Sequence, residues 1–333
     1  MGYRPGGPRL SRDPPDRDQG NDGVIRWGLS ATILAPAEEI LRFAAYHIDA
    51  GAHRLYIFLD DANPQAYAAL KAHPKVRVTT CDAAWWAKRG GRPAKHQVRQ
   101  SVNATHAYNR KAEVDWLIHM DADEFLVSDT PVDAILDDLP AEVRTARTRP
   151  IEALAGDGTV FKGFIPNTPA RDDIVQALYP VYGAYLKGGF LSHVAGKLFV
   201  RTGMEDISIR IHNAFQGEAM NPGQVELPRI DLAHMHARSW PDWIASYRYR
   251  LRQGSYRAEL APARARETGG RTLHELFRGI EAEAGETGLR AFYDEVCADT
   301  PQLRDRLSHR GLLRQVVLDL DAKRARHFPA ATA

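Results

Sequence analysis

The sequence predicts an α/β protein, with a mixed, mostly parallel sheet flanked by helices and a helical carboxyl-terminal region. Three observations predict it. Apolar runs of strand length alternate with helix-length amphipathic segments from Leu29 to Ile118, as crossover helices between parallel strands require. The fourth apolar run, Val114 to Ile118, leads directly into His119-Met120-Asp121-Ala122-Asp123-Glu124-Phe125-Leu126. Carboxylates then stand at the carboxyl edge of a sheet, where open α/β proteins bind ligands. From Pro241 onward helical spacing dominates.

Residues 1 to 22 are dominated by Gly, Pro, Arg and Asp, too polar to offset ordering entropy, and read as a disordered leader. Leu29 to Leu34 reads as the first strand. Pro36 opens a helix carrying Ile40, Leu41, Ala44, Ala45 and Ile48 at helical spacing, ended by Gly51. Leu55 to Leu59 is a second strand stopping at Asp60-Asp61; Pro64 to Ala72 is a helix and Val76 to Val78 a third strand. Cys81 to Pro93, with Trp85-Trp86 and Gly90-Gly91, reads as irregular, and Lys95 to Ala112 as a long helix. Beyond Pro131 short strand-like runs (Ile151 to Leu154, Val194 to Val200, Ile207 to Ile211) are broken by Gly and Pro. Three helical groups complete the chain: Trp243, Ile244 and Tyr247; Leu273, Leu276, Phe277 and Ile280; Leu312, Leu313, Val316 and Val317.

Hydrophobic content of 44% and charged content of 26% suit a globular protein, and a net charge of +2 provides no field for nucleic acid. Cys81 and Cys297 share no ligand spacing and read as reduced thiols. No run reaches the ~20 apolar residues of a membrane span, and the amino terminus has no apolar signal core. Cytoplasmic residence is the expectation, with peripheral membrane association left open.

Asp121 and Asp123, two apart after a buried strand, can share a divalent cation. Mg²⁺ or Mn²⁺ suits a site that bridges carboxylates to a diphosphate. The plainer alternative is a strand-to-helix turn in which Asp123 or Asp129 caps the next helix.

Four blocks between Ser30 and Tyr256 carry a family resemblance: Pro36 to His53 leading into Leu55 to Asp61 (LYIFLDD), Gln97 to Asn103 (QVRQSVN), Val114 to Leu126 (VDWLIHMDADEFL), and His234 to Ser239 (HMHARS) with Trp243 to Tyr256. With them the chain resembles the family-2-like glycosyltransferases of GT-A (Rossmann-like) fold, in the branch marked by D-x-D-E-F-L. The resemblance implies hexosyltransferase-like transfer of a sugar from a nucleotide-sugar donor to a hydroxyl of a saccharide or glycoconjugate acceptor, with a divalent metal. It implies a nucleotide-sugar-binding half at 23–130, an acceptor-side half at 131–240 and a helical region at 241–333. The chain departs from the family at Asp60-Asp61-Ala62-Asn63, which lacks the usual Ser-Thr pair, so either Asp60 or Asp61 could meet the base.

On this reading Asp121 and Asp123 contact the metal and the ribose-diphosphate, with His234 as third ligand; His236 has the same strand parity, and Glu124 could orient the loop. Arg99 and Asn103, four apart, share a helix face, Arg99 toward a phosphate and Asn103 toward the D-x-D strand. Lys197 is a further phosphate contact. His193 and His212 read as structural or acceptor-side, and Trp85, Trp86 and Trp240 as stacking platforms or core. Glu152 is the candidate general base, with Glu218 and Asp231 as competitors. Two rivals remain. An aspartyl-nucleophile phosphohydrolase normally carries its D-x-D on the first strand, continued by Thr or Val rather than Glu124-Phe125. A silent nucleotide- or carbohydrate-binding module of the same fold is the other.

Overall fold

Seven consecutive buried residues, Trp27–Ile33, form the central strand β1. Such a run needs cover on both faces, as in parallel sheets. The computed structural model describes residues 24–110 and 113–329; the leader expected at 1–22 lies outside them. After β1 come α1 (Ala37–Asp49), β2 (Arg54–Leu59), α2 (Pro64–Ala72), β3 (Val76–Thr80), α3 (Ala83–Ala87), α4 (His96–Tyr108), β4 (Trp116–His119), β5 (Glu124–Val127) and α5 (Val132–Asp137). The second half supplies β6 (Thr145–Ala153), β7 (Val160–Lys162), α6 (Arg171–Leu178), β8 (Lys197–Arg201), β9 (Ile207–Ile209), β10 (Ala214–Gln216), β11 (Ala219–Met220) and β12 (Gln224–His234). The chain ends in α7 (Trp240–Arg252), α8 (Leu273–Val296), α9 (Pro301–Ser308), β13 (Leu313–Gln315) and α10 (Leu320–His327).

Strands β3, β2, β1 and β4 lie side by side in that order and pair in parallel. β8 joins β4 antiparallel and leads to β6. β6 is long enough to hold β8 and β7 along one edge and β12, parallel, along the other. β5 closes the far side of β12. Alternate residues serve two cores: Leu55, Ile57 and Leu59 pack under α1, while Tyr56 and Phe58 face Trp86, Ala104 and Leu117. A third cluster around Trp243, Phe277 and Phe292 joins the carboxyl-terminal helices to α6. Among the described residues no helix is long and apolar enough to cross a membrane.

Two expectations are corrected. The segment Cys81 to Pro93 contains the short helix α3, because Asp82 accepts the backbone N–H of Trp85 at 2.8 Å and caps it. No helix forms over Leu312, Leu313, Val316 and Val317: Leu313–Gln315 is the strand β13, and Val317 is exposed. The free edge of β7 offered ladder partners, and Gly163 donates to the Leu312 carbonyl at 2.6 Å beside it. Tertiary hydrogen bonding overrode a weak helical period. α10 then docks on α1 through Arg324–Glu38 at 2.8 Å and Arg42–Asp321 at 2.6 Å.

Gly196 sets the approach to β8. Its φ is +68°, and a Cβ there would stand 2.0 Å from the Thr148 carbonyl oxygen. Gly196→Ala is therefore expected to cost about 1–3 kcal/mol, read as a lowered urea midpoint; an unchanged midpoint would contradict this packing.

Candidate functional site

β1 leads to β2 on one side while β4 lies on the other, so their carboxyl ends flank a topological switch point. The D-x-D turn sits there. Glu124 ties the turn together: its N–H donates to the Asp121 carbonyl at 3.2 Å, and its Oε2 accepts the Asp121 N–H at 2.9 Å. From the turn, β5 runs antiparallel to β12 and sets Glu124 opposite His234. β12 in turn aligns His234 with Glu152, and β6 aligns Glu152 with Lys162 on β7.

Register thus lays Glu124, His234, Glu152 and Lys162 in one buried row across four strands. Lys197, fully buried on β8, extends it, with Nζ 2.7 Å from Asp121 Oδ2 and 3.2 Å from Glu124 Oε2. At the other end Lys162 Nζ lies 2.6 Å from Glu152 Oε1. Asp123 Oδ2 meets His234 Nε2 at 3.3 Å.

Burial pushes every carboxyl of the row up, yet the neighbouring cations win. The Lys197 ammonium holds Asp121 well below the usual carboxylate range and lowers Glu124, and His234 lowers Asp123. Burial pulls His234 down, but Asp123 outweighs it and lifts the imidazole to about 9. The row holds two carboxylates and two ammonium groups; with the partly exposed Asp121 and Asp123 beside it and the imidazoles neutral, four carboxylates exceed two ammonium groups by two charges. Protonated His234 offsets one; a single divalent ion would offset both. The Nδ1 atoms of His193 and His234 are moreover buried without a hydrogen-bond partner, which is unusual for buried nitrogen. The donor chemistry therefore fits a divalent metal held by Asp123 and His234.

The structure brings Asp121, Asp123, Glu124, Lys197 and His234 together and corrects several other expectations. Arg99 is spent on Asp60: its Nε and Nη2 reach that carboxylate at 2.7–3.0 Å, and its Nη1 donates to the Pro93 and Ala94 carbonyls at 2.9 Å. Asp60 is fully buried; burial raises it, but His96, Arg99 and Arg92 hold it low. Asp61 is exposed and lines a cleft of about 620 Å³ with Trp86 and Arg92. Asn103 does not reach the D-x-D strand. It donates to Thr32 Oγ1 at 3.1 Å and accepts from Trp85 Nε1 at 3.1 Å, locking α4 to β1 and α3. Lys197 is committed to two carboxylates with no exposed surface, so its expected phosphate contact is replaced by this role.

The expectation of Glu152 as general base is also corrected. Its oxygens face Lys162 and accept the backbone N–H groups of Leu191 and Ser192 at 3.1 and 2.7 Å. Burial raises it, but Lys162 holds it far below the usual carboxyl value, and such a group is a poor proton acceptor. Neither competitor replaces it. Asp231 lies three residues before His234 on β12 and therefore points to the opposite face; Glu218 is exposed at the β10–β11 turn. Trp240 packs on Trp243 and Tyr293, and Trp85 stacks under Arg89, so both serve packing.

Sequence reasoning missed Gln100 and gave His193 only a structural or acceptor-side role. Gln100, one helical turn from Asn103, donates to Asp121; the i,i+3 spacing was available as a signal. His193, in the loop before β8, places Nε2 3.1 Å from Glu124 Oε1, and no local pattern announces it. His212, His193, His234 and His236 form a file with ring centroids 4.3, 5.1 and 5.3 Å apart. Two clefts meet at the turn. One, of about 430 Å³, is lined by Gln100, Asp121, His193 and His212; the other, of about 780 Å³, by Arg42, Asp123, Arg238 and Asp242.

No family model matches the chain, and no curated protein matches it. Solved structures give distant, partial likenesses. WbbM, a bifunctional glycosyltransferase, is 13% identical over 55% of this chain and 32% of its own, with a TM-score of 0.28. The glycosyltransferase GlyE of Streptococcus pneumoniae TIGR4 is 15% identical over 38% of this chain and 30% of its own, with a TM-score of 0.25. GalNAc-T7, solved with UDP, GalNAc and Mn²⁺, is 11% identical over 82% of this chain and 58% of its own, with a TM-score of 0.35. The chain spans less than two thirds of the length of each. The functional reading therefore rests on the geometry above.

Lys197→Met strands two carboxylates and is expected to cost about 3–5 kcal/mol near neutral pH. In the parent, Asp121 and Glu124 are held low, so their stabilisation is complete above the unfolded carboxyl values and falls away only in acid. Without the ammonium, burial lifts both groups, so the variant loses stability as pH rises. Urea midpoints at about pH 5 and about pH 7.5 should show a smaller deficit in acid; equal deficits would contradict the arrangement.

Proposed function

We propose that this chain is a metal-dependent glycosyltransferase of GT-A type that moves a sugar from a nucleoside-diphosphate sugar to a saccharide or glycoconjugate hydroxyl, as in surface-polysaccharide synthesis. One observation carries the reading: Asp123 and His234 converge at 3.3 Å at the switch point, between two clefts and beside a cluster in which carboxylates outnumber ammonium groups. Asp123 and His234 would hold the divalent ion, Mn²⁺ or Mg²⁺, with Asp121 beside them. Bound there, the ion would supply Lewis-acid stabilisation of a departing diphosphate, worth several kcal/mol.

The chain's own groups divide the remaining work. Lys197 and Gln100 fix Asp121, so the turn is rigid before the donor arrives. Asp61, lining its own cleft, would meet the base, while the Asp60–Arg99 pair braces the start of α4. The cleft bounded by Asp121 and Gln100 suits the donor, and the larger one beside Asp123 suits the acceptor. On this reading residues 23–130 form the nucleotide-sugar half, 131–240 the acceptor-side half, and 241–333 the helical region that walls the acceptor cleft through Asp242 and Arg250.

The test is a panel of UDP-, GDP- and CMP-sugars with and without Mn²⁺. The cognate donor, present well above its dissociation constant, should stabilise the protein by roughly 2–4 kcal/mol, seen as a melting shift, only with metal. Slow metal-dependent hydrolysis of that donor should accompany binding; its absence alongside clear binding would favour a silent binding module. Asp123→Ala should abolish the metal-dependent shift and leave circular dichroism intact, whereas an undiminished shift would remove the site assignment.

A further inference from the structure

Glu124, His193 and His234 stand apart from the aspartate pair in one respect. Each offers a ligand atom, and the three atoms lie within 4.8 Å of one another. They come from three separate places, β5, the loop before β8 and β12, and Glu124 and His234 are buried. Bonds of about 2.0–2.2 Å to a central ion would close that triangle with side-chain shifts of under about an ångström.

Two independent features say what the triangle is for. One nitrogen of each ring faces a carboxylate, while Nδ1 of both His193 and His234 is buried with no hydrogen-bond partner. His47 and His212, by contrast, each engage a backbone carbonyl through Nδ1, at 2.9 and 3.0 Å. The second feature is Lys197. Its ammonium already sits between Asp121 and Glu124, where an all-oxygen cage for a hard cation would form. The open side of Glu124 is Oε1, which faces imidazole.

We propose that Glu124, His193 and His234 form a nitrogen-rich centre that takes a borderline transition-metal ion of the Zn²⁺ class in preference to Mg²⁺. Imidazole suits zinc, iron, nickel and copper, whereas Mg²⁺ takes oxygen donors and sheds water reluctantly. The clefts of about 430 and 370 Å³, both lined by His193, give the ion its entry path. His234 belongs also to the aspartate arrangement, so this inference rests on the donor-site reading at that one residue and adds a second, mutually exclusive ion there. Zinc-class occupancy competes for His234 with an ion held through Asp123.

The experiment uses untagged full-length protein, stripped with chelator, and the metals alone. Calorimetric titration should give one Zn²⁺ per chain, and an excess of Mg²⁺ should not displace it. Co²⁺ should give the intense visible absorption of a four- or five-coordinate nitrogen-containing site rather than the weak bands of a six-coordinate oxygen site. His193→Ala should lower Zn²⁺ affinity by about tenfold or more, and Asp123→Ala by less than about threefold. If His193→Ala fails the circular-dichroism check, His193→Gln and the parent's Co²⁺ spectrum decide. The proposal is overturned if Zn²⁺ does not bind, if Mg²⁺ displaces it, or if Asp123→Ala loses as much affinity as the His193 variants. Mn²⁺-dependent donor binding is read with Asp123→Ala, which should abolish it while leaving Zn²⁺ affinity within about threefold, so the two readings fail separately.

Discussion

A buried file of alternating charge, running from Lys197 through Glu124, His234 and Glu152 to Lys162, is the constraint on which the rest of this structure depends. Any one of these groups alone in the interior would be too costly to keep ionised. Together they persist because strand register sets each beside its opposite. Buried ion pairs are weak evidence of stability; their consequence here is placement. Glu124 cannot move without unpairing Lys197 and the Asp121 N–H, so the D-x-D turn holds one geometry. The same file explains why Glu152, attractive as a base in sequence, is a counter-ion beneath the site.

A second buried pair does similar work on the other side of the switch point. Asp60 gathers Arg99, Arg92 and His96, and Arg99 reaches on to the carbonyls that precede α4. Asn103 then bolts α4 to β1 through Thr32. The helix that delivers Gln100 to Asp121 is therefore braced at two points by polar contacts rather than by apolar packing alone. Residues that resembled ligand contacts hold the frame between neighbouring clefts, which Asp61, Asp121, Asp123 and the histidines line.

Legibility in the sequence depended on range. The strands β1, β2 and β4 and the helices α1 and α2 were readable because apolar period and the prolines at 36 and 64 are local signals. Asp121 and Asp123 were readable because a strand end is a local place. His193 was not, since its partner Glu124 is 69 positions away and its own segment has no period. The destination of Arg99 was equally hidden, because Asp60 lies 39 residues upstream. The strand β13 escaped because its conformation is dictated by the edge of β7, not by its own residues.

By itself the sequence determined an α/β chain, where its first sheet would lie, and that two carboxylates would stand at that sheet's margin, because burial periodicity and chain direction need nothing beyond neighbouring residues. The tertiary structure alone decided which polar groups are neutralised and which stay open. That choice depends on register between β5, β12, β6 and β7 and on a lysine from β8, and charges brought together across more than seventy residues leave no trace in local spacing.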